Sequence, residues 1–330
     1  MDEQPAHLKF FGFREQPFAP TADPMYFYAA QGHKECLYRL WSSIDERQGV
    51  AVIMGSYGTG KTTLLRKLMT GMAADPERFC AAVIGSPIPS WTSFALLESI
   101  VCQFGLKPEE QSFVCYMEAL NQFLMANRHR VCTLIIDDAQ NLNKRGQIEL
   151  LRLVQNLETQ QYKLLNLVFF AQLEWVDVLR AAPNFEQRIN LTYMLEPMGF
   201  DEFCHLVKFR IAQAGAKAGQ GPEFETLALR AIHAYAEGNP RVIVTLCRNV
   251  LLAAAQLRTR SISPDLVALT IEKTTLPDAA KRAKVAAAIT QARQQNTQSS
   301  PPRGGGVEKG QMSREQRAAQ MLLRSSRAPQ

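Results

Sequence analysis

No apolar run in this chain approaches the roughly 20 residues that cross a bilayer. The opening Met1-Asp2-Glu3-Gln4-Pro5 is polar and does not read as a signal peptide. A cytoplasmic protein is therefore expected, with no direct membrane insertion. Seven cysteines (Cys36, Cys80, Cys102, Cys115, Cys132, Cys204, Cys247) include no C-x-x-C pair and lie within apolar patterns. Reduced, buried thiols are expected rather than disulfides or a zinc site. The five histidines (His7, His33, His129, His205, His233) show no metal-ligand spacing and no serine or cysteine partner. A basic folded body is also missing. Residues 281–330 hold ten Lys/Arg and two Asp/Glu, a net +8, which leaves −2 for the first 280 residues. Overall charge thus gives no ground for nucleic-acid binding by the folded part.

What the chain does have is size and pattern. Its 330 residues, 46% hydrophobic and 21% charged, suffice for one large or two ordinary domains with a real core. The stretch Gly55-Ser56-Tyr57-Gly58-Thr59-Gly60-Lys61-Thr62 reads G-x-x-x-x-G-K-T. It follows the apolar run Val50–Met54 and opens a helical pattern of Leu64, Leu65, Leu68, Met69 and Met72. Strand, glycine loop and helix together form the context of a phosphate-binding loop. Glycines let the backbone curl so that N–H groups converge on phosphate oxygens at a helix N-terminus. Lys61 is placed to reach the β- and γ-phosphates, and the Thr62 hydroxyl to coordinate Mg²⁺. The candidate nucleotide-binding residues are Gly55, Ser56, Tyr57, Gly58, Thr59, Gly60, Lys61, Thr62 and Thr63.

Four further apolar runs, Cys80–Ile84, Val131–Ile136, Leu164–Phe170 and Leu191–Leu195, alternate with helical patterns and predict a five-stranded parallel sheet wrapped on both faces. Residues 1–31, aromatic and broken by proline, read as an extended segment pinned to the core by Phe and Tyr. An α/β nucleotide-binding domain is expected over 32–198 and a small all-helical lid domain over 199–280. Residues 281–330 read as a basic, largely disordered tail, in which Arg314–Arg327 forms a helix only on binding.

Thr133-Leu134-Ile135-Ile136-Asp137-Asp138 is a second chemical element. A threonine and three apolar residues ending in two carboxylates suit a buried strand that delivers acids to its C-terminal edge, where such sheets bind ligands. Asp137 is expected to hold Mg²⁺, directly or through water. Asp138 is expected to polarise the attacking water.

These motifs resemble those of AAA+ ATPases, and more closely the ExeA/GspA-type branch. Phe11-Gly12-Phe13-Arg14-Glu15-Gln16-Pro17-Phe18 resembles its N-terminal signature, and Asp137-Asp138-Ala139-Gln140-Asn141-Leu142 its D-E-A-Q-N-L. Asn156-Leu157-Glu158 and Phe170-Ala171-Gln172 resemble its N-L-E and F-G-Q. The resemblance implies sheet order 5-1-4-3-2, a helical lid, ATP and Mg²⁺ as cofactors, and a homo-oligomer in ring or filament form. It further implies that Gln172 is sensor 1, that Arg188 in Gln187-Arg188-Ile189 is an arginine finger, and that Arg241 in Gly238-Asn239-Pro240-Arg241 is sensor 2. Asp138 stands where the branch usually has Glu, one methylene longer, so slow hydrolysis is expected.

Three functions follow as expectations. The first is an ATPase that couples hydrolysis to assembly or remodelling of a partner complex in secretion or pilus biogenesis. The second is an ATP-dependent regulator of transposition, resembling TnsC and TniB, that assembles on double-stranded DNA and recruits a transposase. Lys144, Arg145 and Arg152 are its candidate DNA contacts. The third is a nucleotide switch or scaffold with weak hydrolysis. In each, the basic C-terminal tail is the expected docking segment for a protein partner.

Overall fold

The computed structural model describes residues 5–20, 24–216 and 219–298. The elements run in chain order as α1 (Ala6–Phe11), α2 (Gln31–Asp45), β1 (Val50–Gly55), α3 (Lys61–Ala73), β2 (Phe79–Ile84), α4 (Ser93–Gln103), α5 (Phe113–Ala126), β3 (Val131–Ile136), α6 (Arg145–Gln155) and β4 (Leu165–Ala171). They continue as α7 (Trp175–Arg180), α8 (Pro183–Glu186), β5 (Ile189–Leu195), α9 (Phe200–Gln213), β6 (Glu223–Phe224), α10 (Thr226–Ala236), α11 (Pro240–Gln256), β7 (Ser261–Ile262), α12 (Pro264–Thr274) and α13 (Ala279–Gln298).

The main sheet is parallel throughout, in the order β2-β3-β4-β1-β5. That is the order which the family resemblance implies. Strands β1, β3 and β4 are buried along their whole length, which explains continuous apolar runs instead of alternation. Alternate residues still go to different faces. Val50, Val52 and Met54 pack with α4, α5, α6 and α7 on one side. Ala51 and Ile53 pack with Leu40 and Ile44 of α2 and Leu64 and Leu68 of α3 on the other.

Phe169 of β4 lies at the centre of the first side, fully buried, with ring centroids 5.1 Å from Trp175 and 6.0 Å from Phe185. Phe169→Ala should cost about 3–5 kcal/mol, because the removed ring leaves a cavity that rigid neighbours cannot fill. Urea unfolding measures this, and a loss below about 1 kcal/mol would mean the layer repacks freely.

Chain contacts divide the structure into two compact units. The sheet unit comprises Pro20–Gln213 and Glu237–Val242. The second takes the described residues that fall within Met1–Ala19, Ala214–Ala236 and Ile243–Gln330. The segment expected to form the lid is thus shared out, α9 going with the sheet. So is the aromatic N-terminal segment, which divides after Ala19. Two of its features differ from an extended strand. Residues 6–11 form α1, because Leu8 and Phe11 at i and i+3 bury one face, and Gly12 at φ 66° supplies a left-handed cap.

In the second unit, α13 extends through residues which sequence pattern assigns to the tail. Its apolar content is mostly alanine, a strong helix former with little hydrophobic signal. Among its described side chains, Val285 and Ala292, seven residues apart, are buried, and the helix packs on α10. Asp278 caps it by accepting the Lys281 amide at 3.0 Å. The two-residue strands β6 and β7 pair in the same unit and are too short to leave a pattern. The tail beyond 298, with Arg314–Arg327, lies outside the described residues. None of the seven cysteines is in a disulfide; Cys36, Cys132 and Cys247 are buried and Cys102 is exposed. Among the described residues, no helix is long and apolar enough to cross a membrane.

Candidate functional site

The glycine loop joins the end of β1 to the start of α3 and follows from local constraints. Gly58 and Gly60 sit at φ 83° and 100°, in the left-handed region open to glycine. A Cβ on Gly58 would meet the Asn239 side chain at 2.5 Å, and one on Gly60 would meet His33 at 2.8 Å. Gly60 caps α3 without a side-chain acceptor, so the first-turn amides of Lys61 and Thr62 face outward with the positive end of the helix dipole. The Thr63 amide instead closes on the Gly60 carbonyl at 3.0 Å. Ser56 and Tyr57 are exposed, whereas Thr59 is buried and its hydroxyl donates to the Ser56 carbonyl at 2.9 Å.

Lys61 is buried, and its Nζ donates to the carbonyls of Gly55 (2.7 Å) and Ser56 (3.0 Å), bridging the mouth of the loop. The Thr62 hydroxyl donates to Asp137 Oδ2 at 2.8 Å. Asp137 immediately follows β3 and is buried, and its Oδ1 accepts the Asp138 amide at 3.0 Å. Burial lowers the Lys61 pKa, opposed by the charges of Asp137, Asp138 and Glu174. Burial raises that of Asp137, opposed by the Thr62 hydroxyl, the Asp138 amide and Lys61. Both charged forms are thus held at a cost. An anion before Lys61 and a cation before Asp137 would relieve it, so the donor set fits a polyphosphate with Mg²⁺: backbone amides, an ammonium, a hydroxyl and a carboxylate.

Asp138 has left-handed backbone, φ 49° and ψ 40°. Aspartate tolerates that region better than most residues with a Cβ. This gives the Asp in place of Glu a local reason. Its Oδ1 accepts from Gln140 Nε2 at 3.1 Å, and Gln140 Oε1 accepts the Gln172 amide at 3.1 Å. Gln172 directly follows β4, which lies between β1 and β3, so all three strand ends contribute to one edge. Gln140 links the two expected catalytic positions. Within D-D-A-Q-N-L its spacing did not single it out, since only the 3₁₀ turn Ala139–Asn141 folds it back.

Arg241 belongs to the strip Glu237–Val242 within the sheet unit. Its guanidinium lies over the Tyr57 ring, 4.7 Å from the centroid. Asn239 Nδ2 donates to the Tyr57 carbonyl at 2.6 Å, and Asn239 Oδ1 accepts the Arg241 amide at 3.0 Å. The strip is therefore stitched onto the crest of the loop. Arg188 is elsewhere. It precedes β5, whose last residue, Leu195, pairs with Gly55. Seven residues of strand at about 3.3 Å each put Arg188 roughly 23 Å from that edge. No arginine side chain spans that. Its Nη1 donates to Gln155 Oε1 at 3.1 Å and its Nε to the Asn184 carbonyl at 3.2 Å.

The candidate DNA contacts are partly occupied within the chain. Lys144 Nζ donates to the Ser90 carbonyl at 2.9 Å, and Arg152 pairs with Glu149 at 2.8 Å.

Sheet order, glycine loop and acidic strand end together define a P-loop nucleoside triphosphatase of the AAA+ fold. Residues 44–179 match the family described as AAA domain. Over 253 residues the chain is 32% identical to general secretion pathway protein A of Aeromonas hydrophila. That match covers 75% of this chain and 45% of the relative, so the chain spans less than half of that protein's length. The chain contains an AAA domain on an AAA+ fold and resembles the ExeA/GspA type. Among solved structures, Aeropyrum pernix ORC2 protein in its ADPNP–ADP complexes is similar at a TM-score of 0.59 and 19% identity, covering 82% of this chain and 74% of that one. Cdc6p of Pyrobaculum aerophilum gives 0.60 and 17%, covering 94% and 89%. The A. pernix ORC1 protein in complex with DNA gives 0.56 and 17%, covering 95% and 87%. At such identity these structures share the fold alone.

Proposed function

We propose that this protein binds ATP with Mg²⁺, assembles into an oligomer when ATP is bound, and couples slow hydrolysis to assembly or remodelling of a partner complex in a secretion or pilus pathway. The observation that carries the chemistry is the 2.8 Å bond from Thr62 to Asp137, set beside buried Lys61 at the start of α3. Lys61 and the loop amides bind the phosphates, and Thr62 and Asp137 hold the cation. When bound, Mg²⁺ supplies neutralising charge to the β- and γ-phosphate oxygens. Asp138 takes a proton from the attacking water, and Gln172, tied to it through Gln140, orients that water. The short Asp138 side chain on a left-handed backbone leaves little freedom to follow the water, hence the slow rate.

Arg241 reports the nucleotide from the loop's crest. Arg188, out of reach of its own site, serves the site of a neighbouring copy, where a guanidinium stabilises charge on the transferring phosphoryl. The pathway rests on the likeness to general secretion pathway protein A. The partner docks on the basic tail.

Negative-stain electron microscopy with a non-hydrolysable ATP analogue tests this. Rings or filaments are expected with the analogue alone and none without nucleotide. Assembly that requires duplex DNA would replace the secretion reading with the transposition one. Monomers under every condition would sink the shared site.

A further inference from the structure

One residue beside the phosphate loop had no visible chemistry in the sequence. His33 lies in the first turn of α2 and is 5% exposed. Its Nε2 is 2.9 Å from the Thr59 carbonyl oxygen. A carbonyl only accepts, so Nε2 carries the proton and Nδ1 the lone pair. Nδ1 is also buried and has no hydrogen-bond partner among the described residues. The Phe27 ring packs against the imidazole in an edge-on arrangement, centroids 5.6 Å apart. Glu202 of α9 accepts the Gln31 amide at 2.9 Å, which fixes the helical turn that carries the ring. Gly60 makes room for the imidazole, since a Cβ there would lie 2.8 Å from Nε2.

We propose that His33 is a positioning residue of the phosphate loop: its neutral imidazole, donating through Nε2 to the Thr59 carbonyl, holds the crest of the loop in a phosphate-receiving shape before nucleotide arrives. The inference deepens the nucleotide-binding reading and rests on it. A trans peptide is planar, with its C=O and N–H pointing in opposite directions. Anchoring the Thr59 carbonyl on His33 therefore turns the Gly60 amide away from His33, fixing one of the loop's few donors. Without the anchor, a buried carbonyl loses its partner and the two residues around φ 100° at Gly60 gain freedom. Preorganisation of this kind removes an ordering cost from binding. Burial favours the neutral ring, against smaller contributions from the Thr59 carbonyl and the Glu202 charge, which favour the protonated one.

The test uses the full chain, with ATP affinity from fluorescence titration and unfolding from circular dichroism. His33→Ala is expected to weaken ATP binding about tenfold, or about 1.4 kcal/mol, with the nucleotide-free Tm within a few degrees of the parent. His33→Gln, whose Nε2 reaches a similar position, should recover affinity to within about threefold. Unchanged affinity in His33→Ala would overturn the proposal, as would a His33→Gln variant that folds yet binds no better than His33→Ala. Should either variant fail to fold, the imidazole nitrogen shifts of the parent decide: protonation at Nε2 alone is expected, and protonation at Nδ1 refutes the assignment. Lys61→Ala is the parallel arm. Retained ATP binding there would refute the site itself, whereas lost binding there with unaffected His33→Ala refutes only the role of His33.

Discussion

Lys61→Ala is expected to abolish ATP binding, lowering affinity by two orders of magnitude or more in calorimetric titration. Hydrogen bonds to a charged group contribute about 1.5–3 kcal/mol each. A lysine reaching two phosphates therefore accounts for about 3–6 kcal/mol, and every 1.4 kcal/mol is tenfold. The same Nζ holds the mouth of the loop through the Gly55 and Ser56 carbonyls. Alanine removes both the phosphate contact and the brace. The loss should not come from unfolding. The folded-state pKa of Lys61 lies below its ordinary value because of burial, so at neutral pH the ionised lysine opposes folding and its removal relieves that cost. The nucleotide-free variant should melt within a few degrees of the parent. Retained affinity would refute the nucleotide site; a large fall in Tm would show that the brace matters more than the charge.

The parts of this site that could be read in the sequence are those whose chemistry fixes a local spacing. G-x-x-x-x-G-K-T needs left-handed glycines just before a helix start, and Gly58, Gly60 and Lys61 adopt that arrangement. Asp137 follows from an apolar strand that must end at the sheet's ligand edge, and β3 ends at Ile136. Strands β1, β3 and β4 were legible because a parallel sheet covered on both faces demands unbroken apolar runs, whereas the edge strands β2 and β5 are only partly buried. Helix α13 was not, since alanine carries helix propensity without a hydrophobic stripe. Nor were Gln140, Asn239 and His33, which act through folding that joins distant segments. Asn239 meets Tyr57 across 182 positions of sequence, and His33 meets Thr59 across 26. Their residue types are unremarkable in isolation, and only the backbone groups facing them give them work.

Asp138 shows a third case. A motif comparison flags it as one methylene too short, but not why. Its φ of 49° supplies a reason, because few side chains tolerate that backbone and aspartate is one of them. The cost of such a conformation is about 1–3 kcal/mol and is sustained where surrounding structure fixes it, here the bonds from Asp138 to Asp137 and Gln140.

Mixing two inactive variants should restore activity. Asp138→Asn removes the group proposed to take the proton from water, and Arg188→Ala removes the guanidinium that lies some 23 Å from its own loop. Alone, Arg188→Ala should lower turnover by about three orders of magnitude, the range for an arginine finger, with monomer ATP affinity unchanged. Alone, Asp138→Asn should bind ATP and remain assembled with little turnover. In a mixed oligomer, some interfaces place the intact Arg188 of an Asp138→Asn copy against the intact Asp138 of an Arg188→Ala copy. Such sites are complete. Turnover at equal mixing should therefore rise well above the sum of the separate rates and peak near a one-to-one ratio. If each site were complete within one chain, mixing would only average two low activities. A rate that stays at that average would return Arg188 to the structural bond it makes with Gln155.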